Sequence, residues 1–170
     1  KKWFVSVSNR LDRVDIYHGS DFSLVKRIPT GKTPSHVAFD ANSTIALVTM
    51  QDSNELVGID LASQTIKWRM KTGNMPAGVW VTPDDRYALV GMTGEVYVEV
   101  IDWRAQKSVE KITTGKGAHN FLPLGDGGRA ALPGALGRRL RIDLCLDGGK
   151  PAGRAVFGAV GLRVLEPRHR

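Results

Sequence analysis

Apolar residues along this chain alternate with polar ones instead of recurring at helical spacing. Trp3-Phe4-Val5-Ser6-Val7-Ser8, Val14-Asp15-Ile16-Tyr17 and Leu24-Val25-Lys26-Arg27-Ile28 are short runs of β type. Turn formers part them: Ser8-Asn9, His18-Gly19-Ser20-Asp21 and Thr30-Gly31. Further strands are predicted near 36–40, 45–50, 55–61 and 65–71, then near 78–82, 87–92, 96–103 and 107–113. No long window carries a period of about 3.6 residues, so helix content should be close to nil.

The alternation is itself periodic. Thr30-Gly31-Lys32 returns as Thr72-Gly73-Asn74 and again as Thr114-Gly115-Lys116. Thr33-Pro34-Ser35-His36-Val37 aligns with Met75-Pro76-Ala77-Gly78-Val79, Ile59-Asp60 with Ile101-Asp102, and Ala46-Leu47-Val48 with Ala88-Leu89-Val90, all 42 positions apart and without a gap. A fixed period of this size marks stacked or radially arranged units, each too small to bury its own apolar face. Four short strands per unit is the size of a propeller blade. Leucine-rich and helical solenoids need patterns that are absent, and a parallel β-helix has shorter coils. The expected fold is all-β: a partial β-propeller of four-stranded antiparallel blades over residues 1–125.

Val79-Trp80-Val81-Thr82-Pro83-Asp84-Asp85-Arg86-Tyr87-Ala88-Leu89-Val90-Gly91 resembles the V-x-V-[ST]-P-D-G-[KR]-x-[AL]-Y-V-[TA]-N core of YVTN-family β-propeller repeats. Val96 to Asp102 resembles the next strand of that family, and Thr72-Gly73-Asn74-Met75-Pro76 resembles its link between blades. The likeness covers roughly residues 3–125. The chain departs from it at Asp40-Ala41-Asn42, in place of Pro-Asp-Gly, and at Gly91-Met92 and Thr49-Met50, in place of Thr-Asn. The resemblance implies a propeller and, because such proteins are frequently exported in bacteria, a periplasmic or cell-surface setting.

Most conspicuous residues read as structural. Asp84 and Asp85 sit in a Pro-initiated turn, where a carboxylate accepts backbone N–H groups. Asp60 and Asp102 hold one blade position and should cap strand ends. Trp3, Trp68, Trp80 and Trp103 should pack between blades, each burying about 150–250 Å². Chemistry is expected where the topology gathers loops at one mouth of the channel: residues 32–36, 74–78 and 116–120, with 9–13, 51–55 and 92–95. The units agree in framework and differ in these loops, as suits a scaffold with a variable binding rim. The ligand-binding candidates are His36, His119 and Asn120, with Lys32, Lys116 and Arg10 adding positive charge. Imidazole can ligate a metal or haem, or move a proton near neutral pH. His18, in a hairpin at the other end, reads as solvated surface.

No His-x-x-x-His, Gly-x-Ser-x-Gly, phosphate-cradling loop or Cys-x-x-Cys-His is present in the repeat region. The expectation is therefore a binding or scaffold module without catalysis, metal or resident cofactor, offering its rim to a protein or small ligand. The enzyme-class alternative is a relative of lactonase-like propellers or of the propellers that hold haem d1. A second alternative is nucleic-acid binding through a basic tail.

That tail is unlike the rest. Residues 126–170 contain no Ser, Thr, Asn, Gln, Tyr, Trp or Met. They hold 9 Lys/Arg against 4 Asp/Glu, or +5, whereas residues 1–125 hold 15 against 13, or +2, which together give the net +7. The basic character belongs to the tail, which reads as an out-of-frame or diverged Gly/Arg/Ala/Leu-rich end; Ile142-Asp143-Leu144 is a faint echo of the repeat. A nucleic-acid partner is accordingly not expected. The one cysteine, Cys145, excludes an intrachain disulfide. No apolar stretch of about 20 residues and no signal-peptide pattern occurs. Residue 1 is Lys and the chain enters in mid-blade, so a fragment of a longer ring is expected, with open blade edges prone to self-association.

Overall fold

The computed structural model describes residues 3–121, together with the backbone of two short strands at 141–143 and 161–163. Eleven strands form three antiparallel sheets. The first contains β1 (Trp3–Ser8), β2 (Arg13–His18) and β3 (Leu24–Pro29), with a 3-10 turn at Asn9–Leu11 between the first two. The second runs β4 (Pro34–Phe39), β5 (Ile45–Met50), β6 (Glu55–Asp60) and β7 (Thr65–Lys71). The third runs β8 (Pro76–Val81), β9 (Tyr87–Met92), β10 (Tyr97–Asp102) and β11 (Lys107–Thr113). Each is a meander of neighbouring strands, and successive sheets carry the same elements 42 residues on. The later pair, β12 (Arg141–Asp143) and β13 (Gly161–Arg163), is antiparallel. Other expectations for residues 126–170 lie outside the described residues.

The strands fall close to the predicted bounds. β4 and β8 begin two residues early, at Pro34 and Pro76, because each proline opens its strand opposite Met50 or Met92 before an irregularity in register. A strand's first residue is where a missing N–H costs least.

Alternation along each strand divides its side chains between two interfaces. Val5, Val14, Ile16 and Ile28 of the first sheet meet Ala46, Val48, Met50, Val57 and Ile59 of the second. The opposite face of the second sheet presents Ile45, Leu47 and Leu56 to Ala88, Val90, Met92, Ile101 and Trp103 of the third. β5 is buried along its whole length because it is covered on both sides. Three of the four tryptophans pack between sheets as expected, Trp3 at the first interface and Trp68 and Trp103 at the second, whereas Trp80 lies on the far face of the third sheet, outside both. Trp68 occupies the space a β-carbon would fill on Gly58, whose ideal position is 2.2 Å from the indole.

The backbone at the sheet ends repeats too. Thr30 N donates to Asp12 O at 2.9 Å, Thr72 N to Asn54 O at 3.0 Å and Thr114 N to Val96 O at 2.7 Å. Thr33, Met75 and Gly117 hold equivalent left-handed positions, with φ of 56°, 54° and 85°. Only the third is glycine, the residue that adopts this conformation without a β-carbon clash.

Candidate functional site

Hydrogen bonds confirm that the variable loops gather at one end of the sheets. Lys32 N donates to Ser53 Oγ at 2.6 Å, Thr33 N to Asp12 Oδ1 at 2.8 Å and Gln51 N to Thr33 O at 2.8 Å. In the next sheet Met75 N donates to Asn54 Oδ1 at 2.8 Å and Thr93 N to Met75 O at 2.9 Å. β4 and β8 both start from this mouth, so their first residues line it.

His36 is the third residue of β4 and half-buried. Its ring meets the exposed ring of His119 edge to face, with centroids 4.7 Å apart and planes at 83°. Gly78 makes that approach possible. It is the register equivalent of both His36 and Asn120, and an ideal β-carbon on it would lie 1.6 Å from His119 O. A side chain there would push the 118–120 segment away from β8.

The support around His36 is polar and neutral. Ser35 Oγ lies 2.9 Å from His36 Nδ1. The buried Thr49 hydroxyl accepts the His36 N–H at 3.1 Å and donates to Ala77 O, tying β5 to both inner strands. The His36 imidazole titrates below its ordinary range, chiefly because burial disfavours the cation and secondly because His119 repels it; a hydrogen bond with Asn120 opposes both. Near neutral pH the His36 ring is uncharged.

The remaining candidates, Lys32, Lys116 and Arg10, are exposed. Lys32 Nζ lies 3.8 Å from Asp12 Oδ2, with its side chain largely exposed. Lys116 is exposed, and Arg10 is exposed on the 3-10 turn. Two acidic side chains at this end are engaged: Thr33 Oγ1 donates to Asp52, and Glu55 takes Arg69 at 3.2 Å and Lys71 at 3.0 Å. Burial would raise the Glu55 carboxyl, but those two cations outweigh it and hold the carboxyl below its usual range. Sequence reasoning missed Ser35, Thr49 and Gly78. The available signal was the 42-residue alignment, which sets a glycine between His36 and Asn120.

At the opposite end the acidic residues do the structural work expected of them. Asp60 Oδ1 accepts Ala62 N at 3.0 Å and Ser63 N at 2.8 Å, and Asp102 Oδ1 accepts Ala105 N at 3.0 Å. Asp85 does more than turn the chain: it accepts Ala41 N of the neighbouring sheet at 3.0 Å and pairs with Arg104.

A profile of the YNCE-like beta-propeller family matches residues 1–138. The chain belongs to that family. Solved propellers are similar in fold. Hydrazine synthase of Kuenenia stuttgartiensis superposes with a TM-score of 0.70 at 17% identity, over 75% of this chain and 37% of that one. The dihydro-heme d1 dehydrogenase NirN, in complex with DHE, gives 0.60 at 20% identity over 69% and 26%. Apo AztD from Citrobacter koseri gives 0.60 at 18% identity over 69% and 33%. The chain thus spans about a quarter to two fifths of these structures, and at such identities the likeness is one of fold. No curated protein sequence matches.

Two chemical fits can be tested on this YNCE-like chain. The His36 and His119 rings are in edge-to-face contact, so as placed the pair could not hold a haem between them. Among the described residues no group of three or more His, Cys, Asp or Glu side chains converges as a metal cage would require. No helix among them is long and apolar enough to cross a membrane.

Proposed function

We propose that this part of the propeller is a binding module that presents the mouth formed by 32–36, 74–78 and 116–120 to a small molecule or a protein segment, in an exported setting. One observation carries the reading. Two imidazoles from separate repeats meet at 4.7 Å in positions that the repeat itself fills with Ser, Ala, Gly or Asn. Packing does not require them there, whereas ligand recognition can use them. A neutral imidazole, the Asn120 carboxamide and the Ser35 hydroxyl offer donors and acceptors. Lys32, Lys116 and Arg10 favour a ligand bearing an acidic group.

His36 and Asn120 hydrogen-bond the ligand's polar edge, His119 closes over it, and the cations draw it in at long range. Imidazole NMR on 15N-histidine-labelled chain, titrated with citrate, inorganic phosphate and a set of neutral amide fragments, tests this. Saturable shifts shared by His36 and His119, and lost in His36→Ala, support the reading. Shifts confined to His18 or rising linearly with every probe overturn it.

In the catalytic alternative His36 or His119 would hold a haem d1 at the mouth. The haem would supply the redox chemistry, and these side chains would only hold and orient it. Titration with haem d1 separates the readings: a new Soret band abolished by one of the two His→Ala changes supports the alternative, and a featureless titration removes it.

A further inference from the structure

Between β4 and β5 the chain reads Asn42-Ser43-Thr44, an Asn-x-Ser/Thr tripeptide without proline at its centre. That is the acceptor pattern for an N-linked glycan, and it serves only on an accessible loop of an exported chain. None of the other asparagines (Asn9, Asn54, Asn74 and Asn120) has Ser or Thr two places on. The repeat does not supply the pattern either: one period on, the same three positions are Asp84-Asp85-Arg86.

The tripeptide forms the tip of a hairpin at the end of the second sheet away from the mouth, and residues 41–44 are exposed. Asp40, buried at the base of this tip, turns the chain. Its Oδ1 accepts Thr44 N at 2.6 Å and Ile45 N at 2.7 Å, and its Oδ2 accepts Thr44 Oγ1 at 2.7 Å. Ser43, at φ 55°, closes the turn by donating its N–H to Asp40 O at 2.9 Å. Asp85 of the third sheet holds Ala41 N from outside. Asn42 shares none of this work. Its equivalent Asp84 accepts Thr82 Oγ1 and Arg86 N within its own turn, whereas the Asn42 carboxamide takes no hydrogen bond among the described residues. The framework has passed to Asp40, and a group attached to Asn42 displaces no contact of the fold.

We infer that Asn42 is an acceptor for an N-linked oligosaccharide, added while the chain is being exported. This rests on the exported setting proposed above and not on any ligand at the mouth. The second substrate is an oligosaccharide activated as a polyprenyl diphosphate. Asn42 Nδ2 attacks its anomeric carbon. The carbon–nitrogen bond forms, the bond from that carbon to the diphosphate oxygen breaks, polyprenyl diphosphate leaves, and the amide gives one proton to a base of the transferase. In the folded hairpin the Thr44 hydroxyl is held by Asp40, so it is free for recognition before the hairpin closes. Once closed, the hairpin projects the sugar from the turn end and leaves the His36–His119 mouth open.

The test is intact mass of the whole chain, produced behind an export leader in cells that carry an asparagine oligosaccharyltransferase and its polyprenyl-linked oligosaccharide. One increment equal to that oligosaccharide is expected, mapped by tandem mass spectrometry to the tryptic peptide 33–67. It should be absent from Asn42→Gln and from Thr44→Ala and retained in Thr44→Ser, which keeps the hydroxyl. Asn42→Gln changes an exposed side chain without a hydrogen bond, so its circular dichroism should match that of the parent chain. An exported chain with a bare Asn42 overturns the inference, as does an increment that survives Asn42→Gln. Because the leader supplies the export, a bare Asn42 counts against the acceptor site alone. The exported setting is read separately, from the cell fraction that holds the native chain.

Discussion

Both ends of these sheets are built from the same repeat and meet opposite fates. At the turn end Asp60, Asp102, Asp84 and Asp85 spend their carboxylates on backbone N–H groups and on Arg104. At the mouth the backbone repeats as faithfully, through Thr30, Thr72 and Thr114, yet His36, His119 and Asn120 break the pattern of the units. A repeat holds its framework by hydrogen bonds that recur every 42 residues, and individuality collects where side chains are free of that duty.

The contrast is broken most forcefully in the core that both ends share. Leu47 is fully buried between the second and third sheets. Leu47→Ala should cost about 2–5 kcal/mol in urea unfolding. His36→Ala, at the mouth, should cost no more than about 0.5–1 kcal/mol. If the two losses were equal, the mouth would be part of the framework and the proposed division would fail.

Gly78 sharpens it next. Gly78→Ala sets a methyl group into the His119 carbonyl, and the segment must shift; overpacking of this kind costs about 1–3 kcal/mol. The informative result is local. The ring contact between His36 and His119 should vanish from nuclear Overhauser spectra while the sheet cores remain intact.

How much of this was legible beforehand depended on range. Strands, period, propeller and loop ends came from alternation and spacing, which are properties of single repeats. The pairing of His36 with His119 was not legible, because it spans two sheets and hinges on a side chain that Gly78 lacks. The left-handed backbone at Thr33 and Met75 was equally hidden: neither residue signals it, and only their equivalent Gly117 does. The carboxylates Asp84 and Asp85 illustrate the same limit. Both were read as turn residues, yet only Asp85 reaches the neighbouring sheet.

That adjacent pair gives a finer cut at the turn end. Asp85→Ala removes the acceptor for Ala41 N and the partner of Arg104, a loss of about 1–3 kcal/mol. Asp84→Ala removes only contacts within its own turn, to Thr82 and Arg86, and should lose about 0.5–1.5 kcal/mol by thermal unfolding. Equal losses would mean that the bridge between sheets contributes nothing.

The smallest effect lies in the charge of one imidazole. Because the folded His36 titrates below the unfolded value of about 6.5, the unfolded chain binds more protons between those two points. Stability contributed by the neutral ring is therefore fully present above that value and is lost as pH falls through it towards the folded pKa. In His36→Gln this increment should disappear from the pH dependence of the unfolding midpoint. The neighbours should move the titration in opposite senses. His119→Ala removes a repelling charge and should raise the His36 pKa, whereas Asn120→Ala removes a supporting hydrogen bond and should lower it. NMR titration of the His36 ring reads both, and shifts of the same sign would mean that burial alone sets its charge and that the three side chains do not act as one group.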